Sequence, residues 1–447
     1  MFQATTSARF LCAPIAFAIL AAAAFPQAPF VKTTYGVAPV DPPLWARLSE
    51  ALSDADIAKI NLAAFAKGNK VAAWELGIAY MQGLGISQNF EKAEQMFRIG
   101  AVDADKKGMV GMFYAHGYFP KDLSAVERWY AAAGRPQDYF ELAEAFKAAG
   151  DADKSTASLY YSKATALYLA LLKDSGHPEV RRAQLELGNF VIDGIYSAGN
   201  DPKGRAQNLQ WACMIAQELL GQKEYQIAVE YNIGQEDLPA DKAMWLRYCK
   251  RAAAYNIDLA QHYFVEALNS GLAHDFSGYD AIAWTRLSSQ KMTGDSGLLK
   301  AMMTGMTAGQ VADVDAAYKS LMGTRERYGA YYPEDDPLRD PTPAALAAMD
   351  QDDPDVQLRK AFNLELAAAN DEKDYQYALS IYHDVRNHCD TAARYVLGKY
   401  ALSGANGVPQ NRRVAEYWLH EAVRSGSKPA QKLLSGIEED WTRQRQR

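Results

Sequence analysis

The sequence predicts an all-α protein, an α-α superhelix (solenoid) of about seven to eight helix-turn-helix repeats arranged in two blocks. Three observations carry that expectation. First, the stretches Tyr80-Met-Gln-Gly-Leu-Gly-Ile-Ser-Gln-Asn-Phe-Glu-Lys-Ala93 and Tyr400-Ala-Leu-Ser-Gly-Ala-Asn-Gly-Val-Pro-Gln-Asn-Arg-Arg-Val-Ala415 follow one template. Each ends a helix, turns through paired glycines, carries Gln-Asn and opens a second helix. Second, a large aromatic or methionine recurs at Met96, Trp129, Tyr168, Trp211, Trp245, Trp284, Tyr382 and Trp418. Its spacings are 33, 39, 43, 34 and 39, then 98, then 36. Third, alternating apolar strand patterns are scarce while alanine is abundant and often paired.

Taken in order, the chain opens on Arg9 and an apolar run from Phe10 to Ala24, ending in small residues. At about 15 residues the run is short of the ~20 needed to span a bilayer. Residues 1–24 therefore read as a signal peptide cleaved near Ala24, with the mature chain periplasmic or secreted. Cys12 sits inside the run rather than after it, which argues against lipid attachment. Residues 41–67, with Pro42-Pro43 before Leu44 and Asp54 before Ile57, read as a leading helix or pair that caps the array.

The first helix of each unit carries a small residue, then Leu-Gly, then an aromatic or apolar residue one turn on. Ala73 with Leu76-Gly77-Tyr80 and Ala393 with Leu397-Gly398 are the clearest copies. Val110-Gly111-Tyr114, Leu142-Ala143-Phe146 and Leu187-Gly188-Val191 are looser ones. Glycine inside a helix costs about 1 kcal/mol against alanine, so its recurrence implies close approach of a partner helix. The second helix ends at Gly134, Gly176, Gly221, Asn256, Gly294 or Gly426, residues able to take the left-handed C-cap conformation.

On these residues the chain resembles the Sel-one-like repeat (SLR) family, relatives of the tetratricopeptide repeat. The likeness is closest over 71–104 and 391–435, looser over 108–135 and 241–323, and faintest over 137–235. The run Ala281 to Ser289, followed by Met306-Thr-Ala-Gly-Gln-Val311, resembles the closing helix of such arrays, with Thr307 suited to an N-cap. An array that closes there and resumes later implies a repeat block over 41–330, a linker over 331–356 and a second block over 357–441. The linker is dense in proline and acid. Asp350, Asp352, Asp353 and Asp355 lack the glycine of a calcium loop and read as a solvated acidic turn.

Little catalytic chemistry is written in the chain. No zinc-protease, phosphate-loop, nucleophile-elbow or Cys-x-x-Cys motif occurs. Ser288 with Lys291 and Ser425 with Lys428 match Ser-x-x-Lys, a pattern expected about once by chance in such a length, and lack the accompanying motifs of penicillin-binding enzymes. His383 and His388 are five apart and face different ways on a helix, and His262 and His274 flank a helix boundary, so no metal or other cofactor is expected. Cys213 and Cys249 are a candidate disulfide and Cys389 a buried thiol. The recurrent aromatics read as core, whereas Tyr328, Tyr331 and Tyr332 stand off the repeat lattice as candidate partner contacts. The net charge of −7 argues against nucleic acid.

The resemblance implies a non-enzymatic scaffold for protein-protein interaction, and at repeat level it extends to the periplasmic scaffolds of alginate-like exopolysaccharide secretion. Expected partners are other envelope proteins (an enzyme, a porin or a sensor domain), with no integral membrane span in the mature chain and polysaccharide binding left open. The alternatives are a periplasmic regulator that binds the sensor domain of a kinase, and a β-lactamase or cell-wall amidase-like enzyme acting through Ser288.

Overall fold

The computed structural model describes residues 53–150, 154–271, 278–290, 292–328 and 338–445. The expected signal segment, the first part of the 41–67 cap and the tyrosines Tyr331 and Tyr332 lie outside the described residues. Nineteen helices and no strand occur among those described, so the class is all-α, as expected. The described residues fall into two compact units, divided between Ala164 and Thr165.

The first unit holds α1 (Asp54–Ala66), α2 (Lys70–Gln82), α3 (Phe90–Gly100), α4 (Ala104–Ala115), α5 (Leu123–Ala133), α6 (Pro136–Ala149) and the start of α7 (Lys154–Leu171), within which the boundary falls. Each start has a local cause. Ser53 and Asp56 form a reciprocal capping box on α1, one residue before the expected start at Asp54, while Asn69, Asn89, Asp103 and Asp122 cap the next four helices. Neighbours α1 and α2, α2 and α3, α4 and α5, and α5 and α6 pack together. Their apolar faces merge into one cluster running from Trp74 through Phe97, Phe113, Trp129 and Leu142 to Tyr160. Large side chains of this kind contribute about 1.5–3 kcal/mol each on burial.

The second unit holds α8 (Val180–Ile192), α9 (Pro202–Ile233), α10 (Lys242–Ala254), α11 (Asp258–Asn269), α12 (Gly278–Ser288), α13 (Thr293–Met303), α14 (Ala308–Tyr328), α15 (Pro343–Ala348), α16 (Pro354–Ala368), α17 (Glu372–Ser403), α18 (Arg412–Arg424) and α19 (Lys428–Arg445). Two of them, α9 and α17, run 32 residues each and pack on one another. In both, the second helix of one hairpin continues into the first helix of the next with no turn. Gly221, expected to end a helix, lies in mid-α9: a Cβ there would come 2.7 Å from Tyr255 Cβ, so the glycine serves close approach. The good helix formers Gln222, Lys223 and Glu224 then carry the helix on. Gly134, Asn256 and Gly426 do take left-handed backbone (φ 75°, 70° and 97°), whereas Gly176 and Gly294 do not.

The expected division at 331–356 does not describe this packing. Residues 357–441 share one unit with 165–330. Asn208 Nδ2 donates to Tyr375 OH at 2.9 Å, Arg386 pairs with Asp193 at 2.8 Å, Arg394 with Glu230 at 3.1 Å, and Trp418 Nε1 donates to Tyr231 OH at 2.9 Å. Trp418 lies in the same apolar cluster as Tyr248, Phe264 and Trp284. Thr307 caps α14 as expected: its Oγ1 accepts from Gln310 N at 3.3 Å while its own N–H donates to Gln310 Oε1 at 2.9 Å.

The template loops fold alike. Gly83 and Gly85 (φ 77° and 69°) answer to Gly404 and Gly407 (φ 72° and 70°). Gln88 Nε2 donates to Met81 O at 2.8 Å and Gln410 Nε2 to Leu402 O at 3.1 Å. Asn89 Oδ1 accepts from Lys92 N at 2.9 Å and Asn411 Oδ1 from Val414 N at 3.2 Å. The Gln-Asn pair thus ties the last turn of one helix to the first turn of the next.

Candidate functional site: a buried charge cluster

The repeat residues singled out in the sequence are packing residues. Leu76, Trp129, Trp211, Trp284, Leu397 and Trp418 are buried, Tyr80 and Trp245 are partly so, and Lys92 and Lys242 lie over the two latter rings at 5.5 and 5.1 Å. A Cβ on Gly77 would stand 2.6 Å from the Phe97 ring, one on Gly111 2.7 Å from the Tyr130 ring, and one on Gly398 2.7 Å from Leu419. On Gly188 it would meet the Trp211 carbonyl oxygen. In three of these four hairpins the side chain seated on the glycine follows the aligned position by one residue: Phe97, Tyr130 and Leu419 rather than Met96, Trp129 and Trp418.

The candidate disulfide is not present. Cys213 and Cys249 are free and belong to different apolar clusters. Cys249 Sγ donates to Ala260 O at 3.3 Å, and Cys213 sits beside Tyr382 and Glu365; burial pushes the pKa of both thiols up. Tyr328 closes α14. Ser288 is buried, and its hydroxyl donates to Asp295, which also engages His262 Nδ1 at 2.9 Å. A carboxylate between serine and histidine is the reverse of a catalytic order, in which histidine must bridge the two. Among the described residues, no group of three or more His, Cys, Asp or Glu side chains could hold a metal ion. No helix there is long and apolar enough to cross a membrane.

A different set of residues forms the strongest polar centre. The acidic segment Asp350–Asp355, expected to be a solvated turn, lies largely buried against α9, α10 and α17. Asp353 and Asp355 are 5% and 4% exposed. From α10, Arg251 reaches Glu224 of α9 at 2.6 Å and forms a close ion pair with Asp355, with Asp353 at 3.9 Å. Tyr255 OH donates to Asp355 and Tyr400 OH to Asp353 at 3.1 Å. At the rim, Lys399 bridges Asp350 at 2.8 Å and Asp352 at 3.0 Å. Asp353 Oδ1 also accepts from Asp355 N at 3.0 Å, capping α16.

Electrostatics follow from this enclosure. Burial raises the pKa values of Glu224 and Asp353 against the lowering pull of Arg251. Burial alone would lower that of Arg251, but Glu224 and Asp353 hold it well above its ordinary value. Lys399 is likewise raised, since its hydrogen bonds to Asp350 and Asp352 outweigh its desolvation. A buried ion cluster adds little net stability, but removing one partner costs about 3–5 kcal/mol. What the arrangement does chemically is hold an acidic segment by charge and tyrosine hydroxyls.

Sequence reasoning missed Glu224, Arg251, Tyr255, Lys399 and Tyr400, because they stand up to 176 positions apart and no spacing links them. The clue available was the density of aspartate at 350–355 itself.

No family model matches the sequence, and no curated protein does. Among solved structures, the chain is similar to a protective antigen present in uropathogenic Escherichia coli strains that displays an SLR fold, at 18% identity and TM-score 0.26, covering 89% of this chain and 82% of that one. It is also similar to a Sel1 repeat protein from Oxalobacter formigenes, at 22% identity and TM-score 0.27, covering 45% of this chain and 79% of that one.

Proposed function

We propose that the chain is an exported helical-repeat scaffold that binds partner proteins of the cell envelope, in exopolysaccharide assembly or secretion. One observation carries the reading: a hairpin built on the same glycine-to-large-side-chain contact recurs in both units, at Gly77 and Gly111 in the first and Gly398 in the second, with Gly188 admitting the Trp211 backbone in the same place. Repetition of this kind spends its packing inward and leaves outer helix faces for extended contact with other proteins. Export is supported by Arg9 and the apolar run Phe10–Ala24, and the exopolysaccharide setting by the repeat-level resemblance alone. Val71, Ile99 and Val102, at 60%, 42% and 53% exposure, are apolar side chains open to such contact. Photocrosslinking from Val71, Ile99 and Tyr263 in living cells tests the proposal. Discrete adducts with envelope proteins are expected. A cytosolic location, or adducts at none of the three positions, sinks it.

A further inference from the structure

We propose that the acidic segment Asp350–Asp355 is an internal stand-in for an acidic peptide of a partner protein, seated in a cradle formed by Arg251, Lys399, Tyr255 and Tyr400. The inference deepens the scaffold reading, on which it rests, by naming the chemistry of one partner segment.

Three observations support it. The seat is chiefly polar: Asp350, Asp352, Asp353 and Asp355 are held by ion pairs and tyrosine hydroxyls, while buried Pro354 lies between the last two and the apolar Leu346 and Val356 flank the segment. Without the segment, the lining presents Arg247, Arg251 and Lys399 against the single carboxylate of Glu224, a basic patch on a chain of net charge −7. Such a patch fits an acidic ligand. With the segment seated, five carboxylates crowd three cations, and Glu224 Oε2 and Arg247 Nε are buried without hydrogen-bond partners. Buried polar atoms are normally paired, so these two mark where the seated segment and its cradle are incompletely matched. The rim, where Lys399 and Asp352 remain partly exposed, is the side from which a competing segment enters.

The test uses the full chain and a labelled synthetic peptide of its own residues 346–358. Asp353→Asn with Asp355→Asn removes charge from the seated segment, and asparagine remains a good N-cap for α16. Fluorescence anisotropy is expected to show the peptide binding this variant at least about tenfold tighter than the wild type, with binding lost at high salt and on adding Arg251→Met. Equal or absent binding to both folded proteins overturns the proposal. Hydrogen exchange on the wild type gives a second decision that needs no variant. Amides of 350–357 are expected to exchange at least about a hundredfold faster than those of Glu224–Ile233. Equal protection refutes displacement. Crosslinked partners with no peptide binding would remove this inference alone; loss of all partners would remove the scaffold reading.

Discussion

Glu365 gauges directly whether the helices beyond 357 belong to the same core as α9. It stands on α16, where its carboxylate accepts from Tyr382 OH of α17 and meets the Cys213 thiol of α9. Burial pushes its pKa up from 4.5 to about 7, against the lowering pull of Tyr382 and Cys213. That difference corresponds to about 3.4 kcal/mol, trimmed to about 2–3 because the residue is only partly buried. The folded state binds this proton more tightly than the unfolded chain. The stabilising contribution is therefore complete below pH 4.5 and is lost as pH rises through 7. Glu365→Gln keeps an acceptor for Tyr382 but carries no charge to bury. The variant should exceed the wild type by about 2–3 kcal/mol at pH 8 and by under about 1 kcal/mol at pH 5, read from urea unfolding by tryptophan fluorescence. If the 357–441 helices stood as a separate block, the carboxylate would lose the α9 side of its enclosure and the gap would change far less with pH. A pH-independent gap therefore refutes the shared core.

Other perturbations test the cluster and the repeat. Arg251→Met strands Glu224, Asp353 and Asp355 without their shared cation and should cost about 3–5 kcal/mol; Glu224→Gln added to it should recover part of the loss, and strict additivity in that double-mutant cycle would argue against a coupled cluster. Gly188→Ala should destabilise more than Gly398→Ala, because the first new methyl meets the Trp211 backbone carbonyl and the second meets the Leu419 side chain, which can yield; thermal unfolding in the opposite order would contradict the close-approach account. Gly436→Ala, in open space on α19, should instead stabilise by about 0.5–1 kcal/mol. Asn411→Ala removes the cap of α18 and should cost about 1 kcal/mol, matched within a few tenths by Asn89→Ala if the two loops are one device.

The features legible in the sequence are those encoded within about fifteen residues. The glycines at 83, 85, 404 and 407, the Gln-Asn pairs and the Thr307–Gln310 capping box each depend on backbone groups close along the chain, so residue type and offset suffice to identify them. The glycine contacts were half legible. A mid-helix glycine announces that something approaches, but whether Met96 or Phe97 is seated on Gly77 depends on how the second helix is rotated about its axis. That rotation is set by packing across the hairpin, and an aligned column of tryptophans does not record it.

The continuity of α9 and α17 was hidden for a related reason. Gly221 carries the signature of a helix stop, yet the same absence of Cβ serves a helix that must pass close to Tyr255 and Ile257, and only the neighbour distinguishes the two. Once α9 runs on, Glu224 is carried past the expected end of its hairpin and brought to Arg251, while α17, equally unbroken, brings Lys399 and Tyr400 to the other side. The acidic segment then has a seat that no local pattern could have announced. Its aspartates look like a linker because a linker and a charged ligand share one composition. What separates them is the presence of enclosed cations, Arg251 from α10 and Lys399 from the unbroken α17.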